Sequence, residues 1–128
     1  MMLVEEKIET ETVIFFYEDD ILNINFKEDA DVKLENAKEN LKARKAFQKE
    51  EKVKVLSDVS NVWNISKDAR AFFATKQVTD LNIAMAMIAK SFSSKILANF
   101  FMKFNKPATP TKMFNSKEKA LAWLSQFD

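Results

Sequence analysis

The sequence predicts an α/β fold: a mixed β-sheet that opens with an antiparallel hairpin and continues through alternating helices and strands. Three observations predict it. Residues 12–26 hold two strand-like runs separated by an acidic pair. From residue 53 onward, short apolar runs alternate with helical stretches three times, the order that builds parallel strands joined by crossover helices. Hydrophobic residues make up 47% of the 128, and twelve are phenylalanine. That suits one domain, residues 1–128, with a packed core.

Each element has its own signal. Residues 12–18 (TVIFFYE) are β-branched and aromatic, and Ile21–Phe26 (ILNINF) alternates apolar with polar. Asp19-Asp20 between them is a turn signal, so the pair reads as a hairpin with one half-wet face. Residues 32–47 turn to Ala, Leu, Lys, Glu and Arg, which favour helix. The apolar stripe there, Leu34, Ala37 and Leu41, is narrow and predicts a surface helix. Val53–Asp58 (VKVLSD) is a short strand. Ser66 reads as an N-cap, with Asp68 in the first turn of a helix reaching about Lys76. Residues 81–89 (LNIAMAMIA) are almost wholly apolar and too short for a typical helix, which predicts a buried strand. Ser91 or Ser93 opens the next helix, running to about Phe104. Both prolines fall in the loop 105–111, and residues 112–114 form a brief strand. Asn115-Ser116 caps a last helix, whose Ala120, Leu121, Trp123, Leu124 and Phe127 form one apolar face.

Composition excludes whole classes of chemistry. The chain has no glycine, no histidine and no cysteine. Average usage predicts roughly nine glycines in a chain of this length. Without glycine there is no P-loop or Rossmann fingerprint. Without histidine there is no Ser-His-Asp machinery and no imidazole metal ligand. Without cysteine there is no thiol nucleophile, disulfide or thiolate zinc site. No acid–base pair of carboxylates stands out either. The expectation is a protein that is not an enzyme and carries no metal or cofactor. No run approaches the roughly 20 apolar residues of a membrane span. Residues 1–6 (MMLVEE) are acidic and lack a signal-peptide pattern, and cytoplasmic residence is the default expectation.

Net charge is +1, but the charge is segregated. Residues 1–31 hold ten acidic and two basic side chains. Between Leu81 and Lys117 there is no acidic residue, against six lysines. Such polarity either keeps the molecule soluble or marks a patch for an anionic partner. A pI of about 7.8 and the lack of any nucleic-acid motif argue against nucleic acid.

The helix over residues 92–104 is the most unusual element. At 100° per residue, Phe92, Ile96, Leu97, Phe100, Phe101 and Phe104 cover about half its circumference, where a surface helix needs a stripe of about 100°. Met102 adds apolar surface opposite, and Lys95, Asn99 and Lys103 keep a narrow polar edge. The helix is either buried deeply, or it supplies a homodimer interface or the wall of an apolar-ligand pocket rimmed by lysine. Docking on a membrane surface is a variant of the second reading. Lys95, Lys103 and Lys106 are then the contacts for an anionic group.

A second candidate site follows the strand Val53–Asp58. Ligands of open α/β sheets bind outside the C-terminal ends of the strands. Asp58 stands there, and Ser60, Ser66 and Arg70 follow. Asp58 and Arg70 would bind a polar ligand, or pair with each other. The plainer alternative is that Asp58 organises the loop and Ser66 only caps. Trp63 and Trp123 are read as packing residues.

The run VKVLSDVSNVWNISKDARAFF, then AMAMIAKS, then NFFMKFNKPATPTKMFNSKEKALAWL, resembles a family of small uncharacterised bacterial proteins with a STAS-like, SpoIIAA-like fold, often found in Bacteroidetes. The resemblance runs from about residue 10 to the end. The same broad fold includes the anti-sigma-factor antagonists and is similar to the lipid-binding CRAL-TRIO architecture. The resemblance implies a mixed sheet with helices mainly on one face. In the antagonists a strand Asp leads to a phosphorylatable serine at a helix start. Asp58 matches the strand residue and Ser66 is the nearest phosphoacceptor, but the Asp before it and the Gly after it are missing. The function expected is a regulatory module that binds a protein partner through the surface around Asp58 and Arg70. The alternative is a binder of an apolar or amphiphilic, lipid-like ligand on the 92–104 helix.

Overall fold

The computed structural model describes residues 6–127. Apart from Glu6, the N-terminal segment read for a signal peptide lies outside the described residues. The elements run β1 (Lys7–Glu9), β2 (Val13–Glu18), β3 (Ile21–Phe26), β4 (Asp31–Val32), α1 (Leu34–Phe47), β5 (Val53–Asp58) and β6 (Asn64–Ile65). Then come α2 (Lys67–Phe73), α3 (Lys76–Thr79), β7 (Asn82–Ile88), α4 (Phe92–Phe100), a π-helical turn (Phe101–Asn105), β8 (Thr111–Phe114) and α5 (Lys117–Leu124).

Six strands form one mixed sheet in the order β1-β2-β3-β5-β7-β8. The pairs β1–β2 and β2–β3 are antiparallel. The pairs β3–β5, β5–β7 and β7–β8 are parallel. A separate parallel pair joins β4 to β6. The hairpin closes with Glu18 opposite Ile21, and Asp19 and Asp20 both take positive φ, 53° and 63°. A two-residue hairpin of this kind needs left-handed backbone at both positions. Aspartate tolerates it better than most residues and serves here in a chain without glycine.

Strand alternation sorts the core into two layers. Val13 and Phe15 of β2, Leu22 of β3, Val53 and Val55 of β5 and Met87 of β7 face the layer that holds α1, α2 and α4. Leu56 of β5 and Ala84, Ala86 and Ile88 of β7 face Ala120 and Leu124 of α5. The alternation in AMAM is therefore functional in packing. Its alanines let α5 approach closely, and its methionines fill the other side. Helices lie mainly on one face, with α5 alone behind.

Helix α1 lies at the surface, with Glu35, Lys38, Glu39, Lys42 and Lys45 exposed, but the face it buries is wider than its apolar stripe. It buries Asn36, Ala37, Asn40, Arg44 and Phe47. Buried polar groups are tolerated when their hydrogen bonds are made, and these are. Asn36 Oδ1 accepts from Lys33 N at 2.9 Å. Asn40 donates to Thr12 Oγ1 at 3.0 Å and accepts from Thr10 Oγ1 at 2.6 Å. Arg44 donates to Gln48 Oε1 at 2.8 Å, Leu81 O at 3.2 Å and Asn82 Oδ1 at 2.5 Å. A hydrophobic stripe cannot reveal a face that is buried through polar side chains. Three smaller differences share a cause: β1, β4 and β6 have two or three residues each, too few for periodicity. The helix read as ending near Lys76 breaks instead at Ala74, where Thr75 Oγ1 donates back to Phe72 O at 2.7 Å.

Candidate functional site

Two surfaces carry the residues singled out by sequence. The first is the loop after β5. Asp58 Oδ1 accepts from Ser60 N at 2.9 Å, an Asx turn. Ser60 Oγ accepts from Lys90 N at 3.2 Å, and Ser60 O accepts from Ser91 Oγ at 3.0 Å, tying the loop to the start of α4. Ser66 Oγ accepts from Ala69 N at 3.1 Å and caps α2. The Arg70 guanidinium donates to Ile65 O, and no ion pair joins it to Asp58 among the described residues. Ser66 lines a surface cleft with Lys33, Glu35 and Asp68, whereas Arg70 lines a separate, partly open pocket beneath the helix layer. The four residues thus do not line one pocket, and each makes a hydrogen bond within or beside the loop. Trp63, read as a packing residue, is instead 72% exposed in this loop. Trp123 does pack, with ring centroids 5.7 Å from Phe114 and 4.9 Å from Phe127.

The second surface is the outer face of α4. Ser91 and Ser94 form a reciprocal capping box at its start, each hydroxyl accepting from the other's backbone N–H at 3.1 Å. The inner face buries Ser94, Ala98 and Phe101. The outer face exposes Phe92 (81%), Ile96 (42%), Phe100 (47%) and Phe104 (62%). The half-circumference arc seen in the sequence is therefore divided. Phe101 belongs to the core, and the other three phenylalanines with Ile96 form a row spaced by four. An α-helix drifts about 40° over four residues. The wider π turn winds less per residue and keeps Phe104 beside Phe100, with ring centroids 5.1 Å apart. Lys106 then closes the turn in left-handed backbone (φ 45°), the conformation that glycine usually supplies at a helix end.

Lysines border this row. Lys103 Nζ lies 5.5 Å from the Phe104 ring centroid. Lys90, Lys95, Lys103 and Lys106 enter no ion pair among the described residues, whereas Lys117 is held by Glu18 at 2.7 Å. Sequence reasoning named this row but merged it with Phe101. The separating signal was the strict spacing of four, with Leu97 and Phe101 offset by one. Reasoning from patterns missed the interior residues Asn40, Arg44 and Ser57, because each is polar. Burial lowers the Arg44 pKa to about 10, with nearby Tyr17 opposing the shift, so the guanidinium stays charged at neutral pH. Among the described residues no helix is long and apolar enough to cross a membrane.

A family model described as "Domain of unknown function (DUF7793)" matches residues 15–128, and the chain belongs to that family. No curated protein matches it. Among solved structures, it is similar to an uncharacterized protein of the DUF3478 family with a SpoIIAA-like fold from Shewanella loihica PV-4. The two share 16% identity over 88% of this chain and 91% of that one, with a TM-score of 0.61. That likeness establishes the SpoIIAA-like fold. A protein with unknown function from Arthrobacter sp. FB24 is 26% identical over 93% of this chain and 97% of that one, with a TM-score of 0.35.

Proposed function

We propose that this member of the DUF7793 family is a single non-catalytic binding module that docks on an anionic lipid surface through the outer face of α4. One observation carries the reading. Of the five large hydrophobic side chains that stand exposed among the described residues, four form the row Phe92, Ile96, Phe100 and Phe104. A helix with an apolar face and lysines at its borders lies in the plane of a membrane interface, with its apolar side chains among the upper acyl chains. The charge pattern favours anionic lipid. Lys90, Lys95, Lys103 and Lys106 sit in a stretch without any acidic residue, and each lysine near an anionic surface contributes about 1 kcal/mol. A second copy of the chain is a poorer occupant, because symmetric pairing would bring these lysines together. Cytoplasmic residence belongs to this reading, since anionic lipids enrich the cytoplasmic leaflet.

Co-sedimentation with vesicles tests it. Vesicles containing phosphatidylglycerol should retain the protein, and pure phosphatidylcholine should retain far less. Salt should weaken the binding. The triple variant Phe92→Ser, Phe100→Ser, Phe104→Ser should stay in the supernatant while keeping its fold. Equal binding of this variant and the parent protein would defeat the reading.

Trp63 favours a second reading, regulation through a protein partner at the β5–α2 loop. It is 72% exposed, and tryptophan anchors many protein interfaces. Trp63→Ala should then abolish capture of the partner by the intact protein without lowering its melting temperature.

A further inference from the structure

A pocket of about 90 Å³, partly open to solvent, lies between the sheet and the helix layer. Phe15, Ile24 and Met85 form its floor, and Leu41, Phe73 and Phe101 form part of its walls and roof. Its lining is almost wholly apolar, the character of a site for a small organic molecule. Ordered water gains little from so apolar a lining, because a bound water needs two to four polar partners. The polar residues around the cavity are mostly committed elsewhere. Arg44 donates to Gln48, Leu81 and Asn82. Arg70 donates to Ile65 O, and Asn40 bonds Thr10 and Thr12.

Ser57 is the exception. It lies on the helix-facing side of β5, is 5% exposed and lines the cavity. Its hydroxyl makes no hydrogen bond among the described residues. Buried hydroxyls are normally paired. An unpaired one in an otherwise apolar cavity is the arrangement found where a few placed polar groups orient a mostly apolar ligand.

We infer that this cavity is a binding site for a compact, largely apolar molecule, about one ring in size, with a single hydrogen-bonding group directed at Ser57. Apolar packing supplies the affinity, and the Ser57 hydroxyl supplies the orientation. Met85 and Met87 in the lining can adjust to its shape, as methionine readily does. The site lies under α4, whereas the lipid-facing row lies on its outer side, so the two proposals stand or fall separately.

Phenol and benzene are the probes, used on the full chain with ¹³C-labelled methionine methyls. Phenol should shift the Met85 and Met87 signals saturably, and more tightly than benzene. Ser57→Ala should weaken phenol at least threefold and leave benzene unchanged. Ala98→Leu, which grows a side chain from α4 into the cavity, should remove both responses. If neither probe moves Met85 or Met87 saturably, the inference fails. It also fails if Ser57→Ala, folded as judged by its spectrum, binds phenol as the parent protein does.

Discussion

Truncating two phenylalanines of the same helix should have opposite consequences. Phe101 is 7% exposed and packs in the core cluster with Val59, Ile65, Met87 and Ala98. Phe92, nine residues earlier, is 81% exposed. Removing a buried phenylalanine ring costs about 3–5 kcal/mol. Phe101 also borders the pocket between the sheet and α4, and the side facing open space has no partner atoms to lose. The low end, about 3 kcal/mol, is therefore expected for Phe101→Ala. A domain of this kind has roughly 5–15 kcal/mol in total, so the variant should remain folded but melt roughly 10 °C lower. Phe92→Ala loses almost no packing and should change stability by no more than about 0.5 kcal/mol. Urea denaturation followed by circular dichroism measures both, with an unchanged m-value expected for each. A loss in Phe92→Ala comparable to that in Phe101→Ala would refute the division of α4 into an inner and an outer face.

Other substitutions probe the framework. Arg44→Ala removes the donor to three oxygens at the edge of the core and should cost roughly 2–4 kcal/mol. Arg44→Lys should recover little of that, because an ammonium cannot reproduce the planar fork; chemical denaturation distinguishes the two variants. Ser66→Ala should cost about 1 kcal/mol through loss of the α2 cap, while Ser66→Asp should keep the cap and the parent stability in the same assay. Lys27 hydrogen-bonds and attracts the Glu9 carboxylate at 2.7 Å, holding its pKa below the usual 4.5. A depressed acid stabilises the fold above its unfolded pKa and loses that contribution as pH falls through the folded value. The denaturation midpoints of the parent and Glu9→Gln should therefore differ near neutral pH and converge as the pH falls through the lowered Glu9 pKa.

Where side chains follow a simple period, the architecture was legible before any coordinates. The Asp19-Asp20 turn, the alternation in β3, the apolar run of β7 and the face of α5 all obey one rule each, and all are in place. The face of α1 was not legible. It is buried through Asn36, Asn40 and Arg44, and hydropathy treats such residues as solvent-facing. Strands β4 and β6 pair over two residues each, which no local pattern specifies. At the candidate site, the phenylalanines of α4 were visible as an excess, but periodicity alone could not say which of them face the sheet. The π turn changed the winding just where Phe104 had to be placed. Ser57 was invisible as a site residue, because its interest lies in a missing partner that only the assembled interior reveals.

The most direct test of lipid docking uses a property of the sequence itself. With no native cysteine, single cysteines can be introduced without removing any. Variants at positions 92, 96, 99, 100 and 104, and Ala122→Cys on α5 as a control, would carry a nitroxide label. Electron paramagnetic resonance on phosphatidylglycerol vesicles would compare access to oxygen with access to a water-soluble nickel complex. The labels at 92, 96, 100 and 104 should lie below the phosphates, with 99 and 122 in water. Labels that all remain in water on vesicle-bound protein, or immersion of 122 in place of the α4 row, would contradict docking through this face.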